Sequence, residues 1–302
     1  MHLVRIMKNP HPLSLITLLF VLSLAGCNDR QPASAVFSSA DGGLIVGGEL
    51  LKYSTSSASS VVFISTENDQ GHNEICTGTF ISPNLILTAA HCIAKDKSGM
   101  SVSFRQKDFS KTQNIIDIEI SEVYRLDFSD LSVTRNDLGV IQFKGGLPSG
   151  ASAALFPKIS PNKKFKLPIL KFSAVGYGRS TGLKSEDPLA QTGEGLLRIK
   201  TLISGAVTPS TDYFKIDQFK NKGGVCFGDS GGPALIKDLK TNQNIIVGVA
   251  SAVMTDRAGA GINPEDDCQN ESMYLNMYFY SQYFHTYLKK AIEAQTRTLT
   301  LN

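Results

Sequence analysis

Many short apolar segments, separated by turn-forming residues, run through most of this chain. Several of them alternate polar and apolar side chains, which is the pattern of a strand that buries one face. Gly and Pro punctuate the segments throughout. We therefore expect an all-β fold of antiparallel sandwich or barrel type. The clearest segments are residues 61–64, 75–81, 85–87, 115–120, 138–143, 172–175, 196–199 and 245–249.

One helix is predicted, and it lies at the C-terminal end of the chain. Within residues 281–294, the apolar residues Phe284, Leu288 and Ile292 recur at helical spacing. Lys289 and Lys290 lie late in this segment, where positive charge interacts favourably with the helix dipole. The pattern therefore predicts a helix that buries one face.

The first residues of the chain have the layout of an export signal. His2, Arg5 and Lys8 precede an apolar run at residues 13–25, which is too short to span a bilayer. The run ends in Leu-Ala-Gly-Cys, which resembles the lipobox of bacterial lipoproteins. The resemblance implies that residues 1–26 are a signal peptide and that Cys27 is acylated. The alternative is an ordinary signal peptide beside an incidental cysteine.

Residues 27–44 form a second region, rich in Ser, Ala, Gly and Asp and without apolar periodicity. This composition is typical of a tether or pro-segment. About 275 residues follow Cys27, enough for one large or two small cores. We assign residues 45–302 to the folded domain. The net charge of +3 gives no indication of a nucleic-acid partner.

Four cysteines remain after Cys27, namely Cys76, Cys92, Cys226 and Cys268. An even number of cysteines in an exported chain predicts two disulfides. Spacing alone does not choose among the three possible pairings. A zinc site is the competing use of four cysteines, but the chain has no CxxC pair.

A single serine lies within an unusually glycine-rich turn, Gly-Asp-Ser-Gly-Gly-Pro at residues 228–233. Glycine permits backbone angles that other residues rarely adopt. A reactive Ser230 needs such a turn, because its hydroxyl must be exposed while nearby N–H groups converge on one point. A serine in a glycine-rich turn is by itself a weak indication, because turns are rich in both residues.

His91 follows an apolar strand and precedes Cys92, so a disulfide to Cys76 would hold its imidazole steady for acid–base chemistry. Asp137 opens a second apolar strand. A carboxylate at a strand start is fixed and partly buried, and can orient a histidine tautomer. Asp127 and Asp130 lie nearby and are alternatives to Asp137.

The motifs together resemble the chymotrypsin/trypsin family of serine peptidases. They are Ile-Val-Gly-Gly at residues 45–48, Thr-Ala-Ala-His-Cys at 88–92, Asp-Leu at 137–138 and the turn at 228–233, in the order of the family. The resemblance implies two antiparallel six-stranded β-barrels (a chymotrypsin-like fold) with the active site in the cleft between them. It also implies the disulfides Cys76–Cys92 and Cys226–Cys268.

The family resemblance assigns a role to each motif residue. Ser230 attacks the scissile carbonyl, His91 carries its proton, and Asp137 orients His91. The backbone N–H groups of Gly228 and Ser230 form the oxyanion hole. A further segment pairs with the substrate backbone as an added strand. That segment comprises Ser251, Ala252 and Val253.

The resemblance also implies activation by cleavage between Leu44 and Ile45. The new ammonium group of Ile45 would fold inward and pair with Asp229. Many relatives have a basic residue before the cut, whereas this chain has Leu44. Trypsin-like activators are therefore poor candidates, and self-cleavage is an alternative.

The substrate pocket resembles that of leukocyte elastase through Gly224, Val225, Phe227, Ala250 and Val253. Trypsin-like relatives have an Asp at the position that matches Gly224. A shallow apolar pocket favours small aliphatic side chains before the cut. The alternative is a preference for Lys or Arg, with an acidic residue of the nearby long loop entering the pocket. The candidates are Asp256, Asp266 and Asp267.

The sequence therefore predicts a serine endopeptidase, a hydrolase that acts on proteins or peptides without a cofactor or metal. We expect a monomer with no nucleic-acid partner, attached to a membrane through Cys27 before processing. The expected location is the bacterial cell envelope, or the medium after processing. The alternative outside enzymology is a catalytically silent, protease-like binding protein. A lipid-anchored structural protein would leave the three catalytic residues unexplained.

Overall fold

A computed structural model describes residues 45–68, 70–105, 115–159, 166–183, 194–254 and 266–301 of the 302-residue chain. The predictions for the signal peptide, Cys27, residues 27–44 and Asp256 lie outside the described residues. Among the helices in these ranges, none combines the length and apolar character needed to span a membrane.

The first half of the domain folds into one antiparallel sheet of seven strands. With strands numbered along the chain, their order across the sheet is β6-β5-β2-β3-β4-β8-β7. The strands are β2 (Val61–Glu67), β3 (Asn73–Ser82), β4 (Leu85–Ala89), β5 (Met100–Phe104), β6 (Ile116–Ile118), β7 (Ile120–Leu126) and β8 (Leu138–Phe143).

The second half forms another antiparallel sheet of seven strands, to which the short strand β1 contributes an edge. Their order is β1-β10-β9-β12-β13-β14-β11. The strands are β1 (Glu49–Leu50), β9 (Leu170–Gly176), β10 (Arg198–Ser204), β11 (Tyr213–Asp217), β12 (Pro233–Lys237), β13 (Asn244–Met254) and β14 (Glu271–Asn276).

The prediction of an all-β fold with two curled antiparallel sheets and a C-terminal helix is confirmed. The number of strands differs, because each described sheet has seven rather than six. In the first sheet, one apolar segment is divided at Glu119 into β6 and β7. In the second, the two residues of β1 pair with the start of β10.

Two α-helices follow the last strand, α1 (Met277–Tyr280) and α2 (Phe284–Leu301). The sequence predicted one helix over residues 281–294, so the observed α2 begins three residues later and ends further on. Residues 281–283 form a turn between the helices. Beyond the last residue of the apolar repeat, Gln295 donates a hydrogen bond to Glu122 of β7 at 2.8 Å, which attaches this part of α2 to the first sheet.

Three clusters of buried side chains fill the domain, one inside each sheet and one between the two sheets. In the cluster between the sheets, Phe63 of β2 meets Tyr177, which follows β9, edge to face at 5.5 Å between ring centroids. Tyr177 is fully buried. Because aromatic pairs bury much apolar area, this contact contributes to the packing of the two sheets against each other.

Candidate active site

A cavity of about 450 Å³ opens where the two sheets face each other. The first half of the chain contributes Ile75, Cys76 and His91 to its wall, and the second half contributes Ser230. The remaining described lining residues are Asn73, Glu74, Arg179, Glu194, Val225, Cys226, Phe227, Gly228, Ala250, Ser251, Ala252 and Val253. His91 and Ser230 are 139 positions apart in the sequence, yet both face this cavity.

His91 lies in a short 3-10 helix, Ala90–Cys92, directly after strand β4. The disulfide between Cys92 and Cys76 attaches this turn to β3. On the other side, the N–H of Ala90 donates to the carbonyl of Asp137 at 3.0 Å. The turn is therefore held by a covalent bond and by the segment that leads into the next strand of the sheet. These two restraints fix the backbone of His91.

Asp137 immediately precedes strand β8, which pairs with β4. Both of its carboxylate oxygens lie 3.0 Å from Nδ1 of His91. Oδ1 also accepts the backbone N–H of His91 at 3.0 Å, and Oδ2 accepts the hydroxyl of Ser251 at 2.6 Å. Three donors thus orient one carboxylate, and Nδ1 of His91 faces it, so Nε2 is left for the cleft.

The environment of Asp137 keeps its carboxyl group ionised. Burial alone would raise the pKa, but the hydrogen bonds from His91 and Ser251 and the nearby imidazole outweigh burial and lower the pKa below its usual value. The side chain of Asp137 is 16% exposed, whereas that of His91 is 42% exposed. A charged, shielded carboxylate beside an accessible imidazole is the arrangement that stabilises an imidazolium.

The alternative carboxylates, Asp127 and Asp130, do not contact His91. Asp127 accepts hydrogen bonds from Ser129 and Asn136, at 3.0 and 2.7 Å. Asp130 binds Tyr287 and Lys290 of helix α2. Of the three candidates, the structure brings Asp137 to the imidazole.

The turn that carries Ser230 needs its glycines. Gly228 and Gly231 have φ of +92° and +79°, in the left-handed region that favours glycine. A Cβ on Gly231 would lie 2.1 Å from Oγ1 of Thr88. Three N–H groups of this turn bond within the protein, those of Asp229, Gly231 and Gly232. Among the described residues, no group accepts from the N–H of Gly228 or Ser230, the two predicted oxyanion donors.

Thr77 of β3 connects the serine turn to both sheets, and the sequence analysis missed it. Its N–H donates to the carbonyl of Ser230 at 2.8 Å, and its hydroxyl donates to the carbonyl of Gly228 at 2.9 Å. The same hydroxyl accepts the N–H of Tyr177 at 3.1 Å. No local signal singles out this threonine, because the three partners just named are at least 100 positions away in the chain.

The second disulfide, Cys226–Cys268, lies on the opposite side of the cavity. Just before it in sequence, Gly224 packs over Gln218, whose Oε1 would be 2.0 Å from a Cβ at that glycine. Gln218 is fully buried and donates from Nε2 to the carbonyl of Cys268 at 2.7 Å. The side chain of Gln218 therefore fills the space beneath Gly224, whereas Val225 and Val253 line the cavity.

Two of the acidic residues proposed for the pocket, Asp266 and Asp267, lie outside the cavity wall. Asp266 is 5% exposed. It accepts the N–H groups of Gly182 and Cys268 at 2.7 and 3.0 Å, and side-chain donors of Thr181 and Gln269 at 3.2 and 3.1 Å. Neither Asp266 nor Asp267 is among the described residues that line the cavity.

Asp229 is fully buried directly before Ser230. Its carboxylate accepts the N–H of Gly178 at 2.8 Å and that of Cys226 at 2.9 Å. Burial raises the pKa of Asp229 to about 7, although these two hydrogen bonds and the positive charge of Arg198 act in the opposite direction. Ile45 is also fully buried.

Comparison with known proteins identifies the family. The sequence profile of the family described as Trypsin matches residues 45–265, which is more than half of the chain. With its two β-sheets and the cleft between them, the chain belongs to the trypsin family of serine peptidases. The two disulfides and the trypsin-like relatives are consistent with an exported protein.

Two curated relatives have low but extended similarity to the chain. "Trypsin Blo t 3" of Blomia tropicalis is 29% identical over 174 residues, which cover 54% of this chain and 64% of that protein. "Ovochymase" of Halocynthia roretzi is 26% identical over 197 residues, which cover 59% of this chain and 12% of that protein. The chain therefore spans less than two thirds of the length of each.

Replacement of Thr77 by Val tests the contribution of the hydroxyl, because valine has nearly the same shape but no hydroxyl. Thr77→Val removes the hydrogen bonds that the hydroxyl makes with the carbonyl of Gly228 and the N–H of Tyr177, so we expect a loss of about 1–3 kcal/mol in the free energy of unfolding. We also expect slower reaction of Ser230 with a fluorophosphonate probe. Urea denaturation and the rate of labelling measure the two effects. Thr77→Ser, which keeps the hydroxyl, should have nearly the stability and labelling rate of the wild type. If Thr77→Val matches the wild type in both, the bridging role is contradicted.

Proposed function

We propose that this chain is a serine endopeptidase in which His91, Asp137 and Ser230 form the catalytic triad. The observation that carries the proposal is the pairing of His91 with Asp137 at 3.0 Å in a cleft that Ser230 also lines. Membership of the trypsin family supports hydrolysis of peptide bonds in general. A silent binding protein would not require a shielded carboxylate, a histidine paired with it and a glycine-rich serine turn in one cleft.

The reaction begins when the hydroxyl of Ser230 attacks the carbonyl carbon of the scissile bond. Nε2 of His91 takes the proton of the hydroxyl, and the ionised Asp137 stabilises the imidazolium that forms. Oxygen of the tetrahedral intermediate carries a negative charge, which the N–H groups of Gly228 and Ser230 would bind. His91 then donates the proton to the leaving amine, and water hydrolyses the acyl-enzyme by the same steps.

Reaction with a fluorophosphonate probe tests the proposal directly. The processed wild type should be labelled at Ser230, and Ser230→Ala should lose both labelling and peptidase activity. Loss of the nucleophile in such a triad lowers kcat on the order of 10⁶-fold. Ser101→Ala, at an exposed position of β5, is the matched control and should react like the wild type. A processed, folded wild type that fails to react would favour the silent binding protein.

For the substrate, we propose a preference for small aliphatic side chains before the cut. Val225, Ala250 and Val253 give the pocket an apolar wall. Gln218 occupies the space beneath Gly224, and neither residue is among the described residues that line the cavity. The alternative of a Lys or Arg preference lacks support from Asp266, whose carboxylate already accepts four hydrogen bonds.

Cleavage of a peptide library measures the preference, and Val253→Gly should change it. Removal of the isopropyl group widens the pocket, so we expect the ratio of kcat/KM for Phe over Val substrates to rise by about 10–200-fold. Because both kcat/KM values are measured on the same protein, a smaller folded fraction lowers both equally and leaves their ratio unchanged. A wild type that strongly prefers Arg or Lys would overturn the aliphatic assignment.

Activation by cleavage before Ile45 forms part of the same proposal. The support is the complete burial of both Ile45 and Asp229 in the domain. A buried carboxylate without a counter-charge is costly, so a new ammonium group at Ile45 would stabilise the charged form of Asp229. Because Asp229 immediately precedes Ser230, its position determines the position of the oxyanion donors.

We further propose that Cys27 carries a lipid anchor and that the same cut releases the enzyme. No cysteine lies between Cys27 and Ile45, so no disulfide could retain the anchor after the cut. Membrane fractionation of the cell envelope should find the uncut protein with the membrane and the cut protein in solution. Cys27→Ser should be soluble in both forms. A cut form that stays with the membrane would refute release by cleavage.

A further inference from the structure

The buried carboxylate of Asp229 has a second potential counter-charge, and it belongs to the folded domain itself. Asp229 accepts backbone N–H groups of Gly178 and Cys226, and no described cationic group lies within 4.0 Å of it. Two amide donors alone compensate a fully buried charge only in part. A cation at somewhat greater distance still matters, because screening is weak in the interior.

Arg198 is placed to supply that cation. In the sheet register, Arg198 of β10 lies directly opposite Gly176 of β9. A Cβ on Gly176 would lie 2.1 Å from Oδ1 of Asp229, so the carboxylate occupies the space that a side chain at Gly176 would take. Directly opposite residues of an antiparallel pair have their side chains on one face, about 4.5–5.5 Å apart. Arg198 therefore leaves the sheet beside the carboxylate of Asp229.

The state of Arg198 agrees with this placement. It is 8% exposed, the one buried Lys or Arg within the described parts of the chain. Its Nε has no hydrogen-bond partner among the described residues. Burial lowers the pKa of Arg198 to about 10, and the charge of Asp229 acts in the opposite direction. A buried guanidinium is costly without a nearby anion, and Asp229 is the anion that acts on it.

The geometry points to Arg198 as a positioning residue that holds Asp229, and with it the oxyanion turn, partly ordered before the chain is cut. Cleavage would add the ammonium group of Ile45 as a further cation for the same carboxylate. The uncut enzyme would then have a low but measurable activity that depends on Arg198, and the cut enzyme would depend on it much less. This role rests on the proposed peptidase activity of Ser230, because that activity is its readout.

The sequence offers a matched control on the same strand. Lys200 lies two residues further along β10, hence on the same face, and its Nζ donates to the carbonyl of Gly47 at 3.0 Å. It also contacts the segment after Ile45, but it is not among the charges that act on Asp229. Lys200→Met therefore removes a neighbouring, partly buried cation without removing the proposed counter-charge.

The experiment compares uncut and cut forms of the full chain. Residues 40–44 are replaced by an enteropeptidase recognition sequence, so that the uncut form persists and cleavage leaves Ile45 at the new N-terminus. The rate at which a fluorophosphonate probe labels Ser230 is measured before and after cleavage. The variants are Arg198→Met, Arg198→Lys and Lys200→Met. Each is compared with the parent, the chain that carries only the recognition sequence.

We expect the uncut Arg198→Met protein to be labelled at least about tenfold more slowly than the uncut parent, the factor that one pKa unit of coupling represents. Uncut Arg198→Lys should retain part of the rate, and uncut Lys200→Met should match the parent. After cleavage, Arg198→Met should recover to near the parent rate, which also shows that it folds.

Three outcomes would overturn the role of Arg198 while the cut parent remains active. The uncut parent could be inert, uncut Arg198→Met could react as fast as the uncut parent, or Arg198→Met could stay inactive after cleavage. The last result would indicate a merely structural residue. If the cut parent itself is not labelled, the proposed peptidase activity fails, and the inference about Arg198 fails with it.

Discussion

The burial of one carboxylate, that of Asp229, constrains the serine turn of the proposed active site. Asp229 lies in the interior between Gly228 and Ser230, so whatever holds its charge also affects the direction of their N–H groups, the two proposed oxyanion donors. Two backbone amides bind it, from Gly178 and Cys226, and both belong to loops that border the cleft. Because burial raises its pKa to about 7, the charged state is close in free energy to the neutral state near neutral pH. A small electrostatic change nearby is therefore enough to change the protonation state of Asp229.

The two sheets depend on each other at the same point. The serine turn belongs to the second half of the chain, but Thr77 of the first half holds two of its carbonyls. Conversely, Asp137 of the first half accepts the hydroxyl of Ser251 from the second half. These hydrogen bonds cross the cleft, so neither half could present the complete site alone. The aromatic contact between Phe63 and Tyr177 supplies the apolar part of the same junction.

The sequence predicted what is encoded locally. Strand β8 begins and ends where the apolar pattern over residues 138–143 placed it, and both disulfide pairings follow the family resemblance. Strand β11 was not among the clearest segments, because its apolar–polar alternation covers only five residues. Thr77, Gln218 and Arg198 were missed for a different reason. Each is an ordinary residue in its own segment and acquires a role only through partners distant in sequence.

The residues proposed to carry out the reaction can be found from local sequence motifs, whereas the residues proposed to influence activation and specificity cannot. His91, Asp137 and Ser230 sit in short motifs, because each needs a particular backbone turn that neighbouring residues must provide. Two groups that we propose to influence the site lie in other segments: Arg198 on β10 opposite Gly176, and Gln218 beneath Gly224. Arg198 and Gln218 reach their places through pairing and packing with segments distant in the chain. In the proposed enzyme, substitutions at these two positions would change activation and specificity while the catalytic motifs stay the same.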